Sequence, residues 1–229
     1  TDIYLHLLDT IKKHKLSANV SIKLTQLGLT IDKKLAAKNA ARIVSDARKK
    51  GFTVEIDMEG SRYTQETLDI YFGLIKRFDN VVQAVQAYLF RTEEDVRELL
   101  GRRGKIRLVK GGYKEPYTIA FKNKEDTDSN YVKLMKLFLQ KGKYIAIATH
   151  DEKIISAAKT FIKKNRVPDK HFEFEMLYGI RPTLQEELAK EYPVRIYVPY
   201  GREWFPYYYR RIRERKENLY FALKNLLRN

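Results

Sequence analysis

The sequence contains no cysteine, only four histidines and no long apolar run. Without cysteine, disulfide bonds, zinc–thiolate sites and cysteine nucleophiles are all excluded. No stretch approaches the roughly 20 apolar residues that a membrane-spanning helix needs, and the opening TDIYLHLLDT does not have the pattern of a signal peptide. We therefore expect a cytoplasmic protein. Because the chain does not begin with methionine, we also expect it to be part of a longer protein.

The common glycine-rich phosphate motifs are also missing. The sequence has neither a G-x-G-x-x-G fingerprint nor a G-x-x-x-x-G-K-[ST] loop. Their absence excludes the dinucleotide-binding fold of the Rossmann type and the P-loop nucleotide-binding proteins.

Acidic residues are scarce relative to basic ones. The chain has 45 Lys and Arg against 29 Asp and Glu, a formal charge of +16. Such an excess is compatible with a basic module that binds nucleic acid or anionic lipid. However, the two signs are interspersed along stretches such as DEKIISAAKTFIKK, which is typical of solvated helix faces. We therefore expect no nucleic acid as a partner and keep the binding module as an alternative.

Strand-like and helical patterns alternate along the whole chain. The strand-like runs span residues 19–27, 52–59, 80–89, 105–112, 144–150, 171–177 and 194–201. The helical patterns span residues 32–51, 64–78, 92–104, 128–142, 151–165 and 181–192. Strict alternation predicts right-handed crossovers and a parallel sheet. No linker-like composition interrupts the pattern, so we expect residues 1–229 to form a single catalytic domain.

The two faces of the strands decide between an open sheet and a barrel. In GFTVEIDMEGS (51–61), the carboxylates of Glu55, Asp57 and Glu59 alternate with apolar side chains. The other strands show the same alternation, with polar residues at Lys23, Gln86, Arg107, Glu175 and Tyr197. An open sheet covered by helices would be apolar on both faces, whereas a barrel gathers one face inside. The sequence therefore predicts a (β/α)8 TIM-type barrel with polar groups near its carboxyl-terminal mouth.

A barrel of this class needs eight strands, and the sequence predicts seven. We expect the first strand and the preceding helices to be missing from this chain, which would make the domain incomplete at its N-terminus. The predicted strands at 20–26 and 194–200 would then be left with unpaired backbone groups beside a gap.

The predicted interior charges have three interpretations. They could form a purely structural salt-bridge network, because buried charges must be paired. Asp57, Glu59, Glu175 and His150 could hold a hard divalent ion, as in a metal-dependent isomerase or aldolase barrel. Against a metal, the positive charges of Lys23, Arg107 and Lys110 would crowd the same mouth. Third, the charged residues could belong to an active site, because active sites in such barrels lie at the carboxyl ends of the strands.

Two further stretches point to an anionic ligand. In RLVKGGY (107–113), a basic pair precedes two glycines that permit close approach of a flat or phosphorylated molecule. In YYYRRIRERKEN (207–218), the two adjacent arginines could clamp a carboxylate or could simply be solvated. Spacing alone leaves these alternatives open.

An ordered set of motifs resembles the proline dehydrogenase family of flavoenzymes, in its bacterial monofunctional type. The motifs are KLTQLG, IDMEGS, QAYLFRT, RLVKGGYKEP, IATHD, FEFEMLYGIR, YVPYG and YYYRRIRERKEN. The resemblance implies a barrel that binds FAD and oxidises L-proline to 1-pyrroline-5-carboxylate, the first step of proline catabolism. It further implies that the electrons pass to a quinone, with a peripheral contact at the inner face of the membrane.

The resemblance also assigns roles to individual residues. Asp57 and Arg107 match catalytic positions. The positions that match the proline-binding residues are Lys23, Leu177, Tyr197, Tyr207, Arg210, Arg211 and Glu214. The positions that match FAD contacts are Met58, Gln86, Arg107, Lys110, Gly111, Gly112, Thr149 and His150. The family usually has alanine where this chain has Gly112, so one methyl group, worth about 1 kcal/mol of packing, is lost and a looser substrate fit is expected.

Overall fold

The computed structural model of the chain describes residues 1–201. The chain divides into two compact units, Thr1–Phe174 and Glu175–Asn229. The described part of the second unit ends at residue 201. None of the helices in the described residues is long and apolar enough to cross a membrane.

The first unit alternates helices and strands after an initial helix. Its helices are α1 (Asp2–Lys13), α2 (Lys33–Lys50), α3 (Thr64–Ile75), α4 (Thr92–Gly101), α5 (Lys124–Lys141) and α6 (Glu152–Asn165). Its strands are β1 (Val20–Ile22), β2 (Val54–Ile56), β3 (Val81–Gln86), β4 (Ile106–Val109) and β5 (Ile145–Ala148). The next strand, β6 (Phe172–Leu177), begins in the first unit and ends in the second.

The strands of the first unit pair in the order of the sequence, and all of these pairs are parallel. Val20 lies opposite Val54, and Val54 lies opposite Val81. Further along the sheet, Gln83 lies opposite Ile106, which in turn lies opposite Ile145. Within the described residues of this unit, β1 pairs with β2 alone. The predicted alternation of strands and helices around a parallel sheet is confirmed.

Local sequence explains where the helices begin and end. At the start of α2, the side chain of Asp32 accepts hydrogen bonds from the backbone N–H groups of Lys34 and Leu35 at 3.2 and 2.9 Å. At its end, Gly51 adopts φ +83°, a left-handed conformation that glycine takes without strain. Asp151 caps α6 in the same manner as Asp32, accepting from the backbone N–H of Lys153 at 3.1 Å. The polar residues at these positions therefore set the helix boundaries.

Both faces of the sheet in the first unit are buried. Ile22, Ile56 and Leu108 are fully buried on the face that packs against the helices. On the other face, Glu55 and Arg107 are also buried, although both are charged. The predicted division into an apolar face and a polar interior face therefore holds, and the charged residues must find their partners within the protein.

The structure differs from the sequence prediction in several element boundaries and in one helix. The run 19–27 is a strand only over Val20–Ile22 and continues as a 3-10 turn over Leu24–Leu27. Over so few residues, spacings of two and three cannot be distinguished. Helix α5 begins at Lys124, four residues before the predicted start. The sequence analysis also did not predict α1, although Leu8 and Ile11 are buried at helical spacing.

The described part of the second unit completes β6 and contains α7 (Pro182–Ala189) and β7 (Val194–Tyr197). The backbone N–H of Tyr178 donates to the carbonyl of Tyr197 at 3.0 Å. The side chain of Gln185 donates to the carbonyls of Leu177 and Ile180 at 2.8 and 2.7 Å. This glutamine therefore ties α7 to the segment that follows β6.

Candidate active site

A buried ion cluster lies at the carboxyl ends of the first strands. Nη1 of Arg107 donates to Oε2 of Glu55 at 2.5 Å and to Oγ of Ser21 at 3.3 Å, while Nη2 forms an ion pair with Asp57. Asp57 also accepts from Oγ of Ser21 at 2.7 Å and forms an ion pair with Nζ of Lys23. One carboxylate is thus held between two cations and a hydroxyl group.

The strand register explains how these residues meet. Ser21 lies opposite Glu55, which lies opposite Val82, so the three share one face. Ala84 is on that face as well, and it lies opposite Arg107. Because β3 presents only valine and alanine here, the long side chain of Arg107 reaches across it from β4 to Glu55 on β2.

The cluster fixes the protonation state of its central carboxylate. Burial by itself raises the pKa of Asp57, but the positive charges of Arg107 and Lys23 outweigh it and hold the pKa well below the usual range. Asp57 is therefore ionised at neutral pH. The side chain of Lys23 is 34% exposed, although its ammonium group is paired with Asp57.

Tyr4 extends this region from α1. Its hydroxyl group donates to Oε1 of Gln26 at 2.9 Å. Burial, followed by the negative charge of Asp57, raises the pKa of Tyr4 to about 12. The phenol therefore remains protonated near the ion cluster.

A second ion cluster surrounds Lys110, just after β4. Nζ of Lys110 forms an ion pair with Asp128 and lies 2.8 Å from Oδ2 of Asp151. Lys124 contacts the same two carboxylates. Asp151 is partly buried, which raises its pKa, but its hydrogen bonds to Lys110 and Lys124 and their charges lower the pKa overall. Lys110 is therefore held at the end of β4 by side chains from α5 and from the start of α6.

The remaining predicted cofactor positions lie at neighbouring strand ends. Nε2 of Gln86 donates to the carbonyl of Glu59 at 2.9 Å, which fixes the backbone beside buried Met58. Thr149 is buried, and its Oγ1 accepts from the backbone N–H of Asp151 at 3.1 Å. His150 lies between Thr149 and Asp151 in the sequence and is half-buried.

The two glycines after β4 have different surroundings. Gly111 adopts φ +119°, and a Cβ atom there would lie 2.1 Å from Cδ1 of Tyr88. No other residue fits at this position without displacing the tyrosine ring or straining the backbone. Gly112 is exposed.

The other predicted site residues belong to the second unit. Leu177 ends β6 and Tyr197 ends β7, and both are half-buried. Tyr207, Arg210, Arg211 and Glu214 lie outside the described residues, so their predicted roles in binding proline stay predictions.

Two residues of the alternative metal site, Asp57 and Glu59, have partners within the protein. Asp57 is neutralised by two cations, and Glu59 accepts hydrogen bonds from the backbone N–H and Oγ1 of Thr25 at 3.1 and 2.6 Å. Carboxylate oxygens of Glu55 and Glu173 lie within 4.8 Å of each other, but Glu55 already pairs with Arg107. Glu55 and Asp57 therefore hold cations from the protein itself.

The sequence placed Glu55 on the polar face, but it did not identify several other residues that contribute to the ion clusters. Ser21 has the same strand parity as Lys23, so that signal could have found it. Asp128 and Asp151 gave no such signal, because they approach Lys110 from helices distant in sequence. Tyr4 is likewise brought to the site by a helix that had not been predicted.

The fold and the cluster together define an enzyme of the (β/α) barrel class. The family model for proline dehydrogenase matches residues 1–223. Proline dehydrogenase 1 of Bacillus subtilis strain 168 is 43% identical over 222 residues, which cover 96% of this chain and 74% of the relative. Proline dehydrogenase 2 of the same strain is 42% identical over 227 residues, covering 99% of this chain and 75% of the relative. The chain belongs to the proline dehydrogenase family.

Solved structures agree with this assignment. The crystal structure of proline utilization A from Bdellovibrio bacteriovorus inactivated by N-propargylglycine matches with a TM-score of 0.80 and 26% identity over 86% of this chain. This chain spans 26% of the length of that protein. The predicted (β/α)8-type barrel fold and the predicted proline dehydrogenase, an oxidoreductase, are confirmed by these matches. They give no support to a metal-dependent isomerase or to a basic binding module.

Proposed function

We propose that the protein binds FAD, oxidises L-proline to 1-pyrroline-5-carboxylate and passes the electrons to a quinone, as the first step of proline catabolism. The observation that carries the proposal is the cluster of Lys23, Asp57 and Arg107 at the carboxyl ends of the strands. In a barrel, this is the end at which reacting groups are placed. Family membership supplies the substrate, because the relatives are named for proline.

The residues present fit a flavin in charge and in shape. Arg107 and Lys110 supply positive charge near strand ends, which suits an anionic phosphate group and the negative charge of a reduced ring. Gly112 is exposed and has no side chain, so a flat molecule could approach the backbone there, whereas the space at Gly111 is taken by the ring of Tyr88. Met58, Gln86, Thr149 and His150 would complete the contacts. When bound, the flavin supplies the acceptor for the hydride that leaves the ring carbon next to nitrogen.

The residues of the chain would hold the substrate and keep the charges in place. Lys23, together with Arg210 and Arg211, would bind the carboxylate of proline, and Glu214 would pair with the arginines. Leu177, Tyr197 and Tyr207 would enclose the ring. Asp57 is ionised at neutral pH and orients Lys23 and Arg107 by direct ion pairs. Its role is thus to position cations, and it does not donate a proton.

The bound cofactor and the reaction can be tested together. We expect the purified protein to be yellow, to release FAD on denaturation, and to lose its colour when L-proline is added without oxygen. D-proline is the matched control and should leave the colour unchanged. A cyclic imine should accumulate when an electron acceptor is supplied. A protein that binds no flavin, or whose flavin L-proline does not bleach, would overturn the proposal.

The carboxylate clamp is tested at Arg211. We expect Arg211→Met to raise the KM for proline by tenfold or more, because each lost charge-assisted hydrogen bond is worth about 1.5–3 kcal/mol. The FAD content should stay normal. The neighbouring Arg213, to which the family resemblance assigns no role, provides the control substitution Arg213→Met. An unchanged KM in Arg211→Met would remove the arginine from the clamp.

The electron acceptor and the site of action are part of the same proposal. We propose a cytoplasmic enzyme that contacts the inner face of the membrane peripherally, because a quinone in the membrane has to reach the flavin. Proline-dependent reduction of a water-soluble quinone should exceed that of NAD+ by orders of magnitude. Sedimentation with vesicles of anionic and of neutral lipid tests the membrane contact, and no binding to either would contradict it.

A further inference from the structure

Glu115 joins two loops at the carboxyl end of the first unit. Its Oε1 accepts from the backbone N–H of Ser61 at 2.7 Å, and its Oε2 accepts from Oγ of Ser61 at 2.5 Å. Glu115 lies in the β4–α5 loop (residues 110–123), and Ser61 ends the β2–α3 segment (residues 57–61). One carboxylate therefore takes both donors of a residue 54 positions away in sequence.

The contact supplies a cap that the local sequence lacks. Ser61 begins the 3-10 turn Ser61–Tyr63, which leads directly into α3. Gly60 precedes this turn, and neither it nor Tyr63 provides a side-chain cap. An N–H group at the start of a helical segment needs an acceptor, and a negative charge there is favourable. Glu115 meets both needs from a distant loop.

Besides the contact of Glu115, the β4–α5 loop is attached to the segment that follows β3, around Tyr88. At its start, the carbonyl of Lys110 accepts from the backbone N–H of Tyr88 at 2.9 Å. At its end, the backbone N–H of Phe121 donates to the carbonyl of Tyr88 at 2.8 Å, and Leu89 and Ala120 form an antiparallel bridge. The exposed middle of the loop crosses to the neighbouring segment through Glu115.

The β2–α3 segment is held by hydrogen bonds to three other parts of the first unit. Gln86 donates to the carbonyl of Glu59 at 2.9 Å. The carboxylate of Glu59 accepts from the backbone N–H of Thr25 at 3.1 Å. Glu115 holds the end of the segment at Ser61. Of these contacts, the one made by Glu115 is the link to the β4–α5 loop.

We propose that Glu115 is a positioning residue that locks the β4–α5 loop onto the β2–α3 segment and so sets the affinity for the flavin. The inference rests on the proposed function, in which Met58 lies in one of these stretches and Lys110, Gly111 and Gly112 lie in the other. Glu115 itself touches neither substrate nor cofactor in this scheme. It joins directly two backbone stretches that are otherwise connected through the end of β3, and a preformed surface binds its ligand more tightly.

Substitutions at Glu115 test the lock in the full-length chain. Glu115→Ala should raise the dissociation constant for FAD about tenfold, which is the effect of losing a charge-assisted hydrogen bond. Glu115→Gln should stay within about twofold of wild type, since its amide can still accept from the N–H and donate to the hydroxyl group of Ser61. Lys114→Gln, an exposed neighbour in the same loop, is the control and should have no effect.

A double substitution separates the lock from a general loss of structure. Ser61→Ala should weaken FAD binding less than Glu115→Ala does, because the backbone N–H remains. The double variant should be no weaker than Glu115→Ala alone, since both changes remove one interaction. At saturating FAD, kcat and KM for proline should stay within about twofold of wild type, whereas a damaged fold would lower activity at any FAD concentration.

Hydrogen exchange in the flavin-free protein provides a readout that does not depend on activity. Residues 57–63 and 110–118 should exchange about tenfold faster in Glu115→Ala than in wild type, while β4 and α5 stay unchanged. Equal exchange, or equal FAD affinity, in the two proteins would overturn the role of Glu115. A wild-type protein that binds no FAD would overturn the proposed function, and with it the flavin role of Glu115, whatever the exchange rates show.

Discussion

Arg107 shows how one residue connects the fold to the site. Its guanidinium group is buried and spans two carboxylates, Glu55 and Asp57, on the neighbouring polar face of β2. A planar fork with several donors suits this arrangement, whereas a lysine would satisfy one partner at a time. In the proposed function the same cation would also stabilise negative charge on a reduced flavin.

We expect Arg107→Met to destabilise the protein by about 3–5 kcal/mol, because it leaves two buried carboxylates without their common partner. Urea unfolding at pH 7 measures this loss. Adding Glu55→Gln to Arg107→Met removes one of the stranded charges and should restore part of the stability. A loss below about 1 kcal/mol in the single variant would show that Glu55 and Asp57 find other partners.

At the scale of elements, the start of α6 carries two functions in one carboxylate. Asp151 caps the helix through the N–H of Lys153 and also pairs with Lys110 and Lys124. The cap is encoded locally, since aspartate is a preferred residue at a helix N-terminus. The ion pairs depend on β4 and α5 arriving beside it, and they anchor the lysine that follows β4.

We expect Asp151→Asn to cost about 1 kcal/mol at pH 7, since asparagine keeps the cap and loses the ion pairs, one of which is largely exposed. The pKa of Asp151 is lowered in the folded protein, so its charge stabilises the fold above the unfolded carboxyl pKa of about 3.9. This stability is lost as the pH falls through and below that value.

Thermal unfolding from pH 7 to pH 3 measures the difference between wild type and Asp151→Asn, which should shrink as the pH falls. Asp32→Asn is the matched control, because Asp32 caps α2 and has no ion pair in the described part of the chain. A difference that grows towards acid pH would contradict the assigned direction of the pKa shift.

At the scale of the whole molecule, the net charge of +16 works against the compact state. The buried and partly buried carboxylates offset some of this repulsion locally. Asp57 and Asp151 both have lowered pKa values, so both remain charged as the pH begins to fall. Further protonation removes their charge while the 45 basic residues keep theirs.

We therefore expect the free energy of unfolding to fall steeply below about pH 4, because the unfolded chain then takes up more protons than the folded one. Urea titrations at several pH values measure it. About 0.5 M salt should recover the part that comes from long-range repulsion, since exposed charges are screened while buried pairs are screened much less. Stability that is constant from pH 7 to pH 3 would rule out this account.

The sequence by itself determined the order of strands and helices, the polar interior face and the family. Alternation in GFTVEIDMEGS placed Glu55 and Asp57 on one face because side chains alternate along any strand, whatever the strand packs against. Capping residues such as Asp32 and Asp151 set helix starts because they act on N–H groups a few positions away. These are local effects, and a sequence displays them directly.

Only the tertiary structure decided which partners the charged groups have. Arg107 reaches Glu55 because β3 presents small side chains between them, and Glu115 reaches Ser61 because two loops end at the same edge of the sheet. Lys110 is held by carboxylates from two helices for the same reason. Such contacts join residues more than 15 positions apart, and their geometry follows from the register and packing of the fold, which no short stretch of sequence contains.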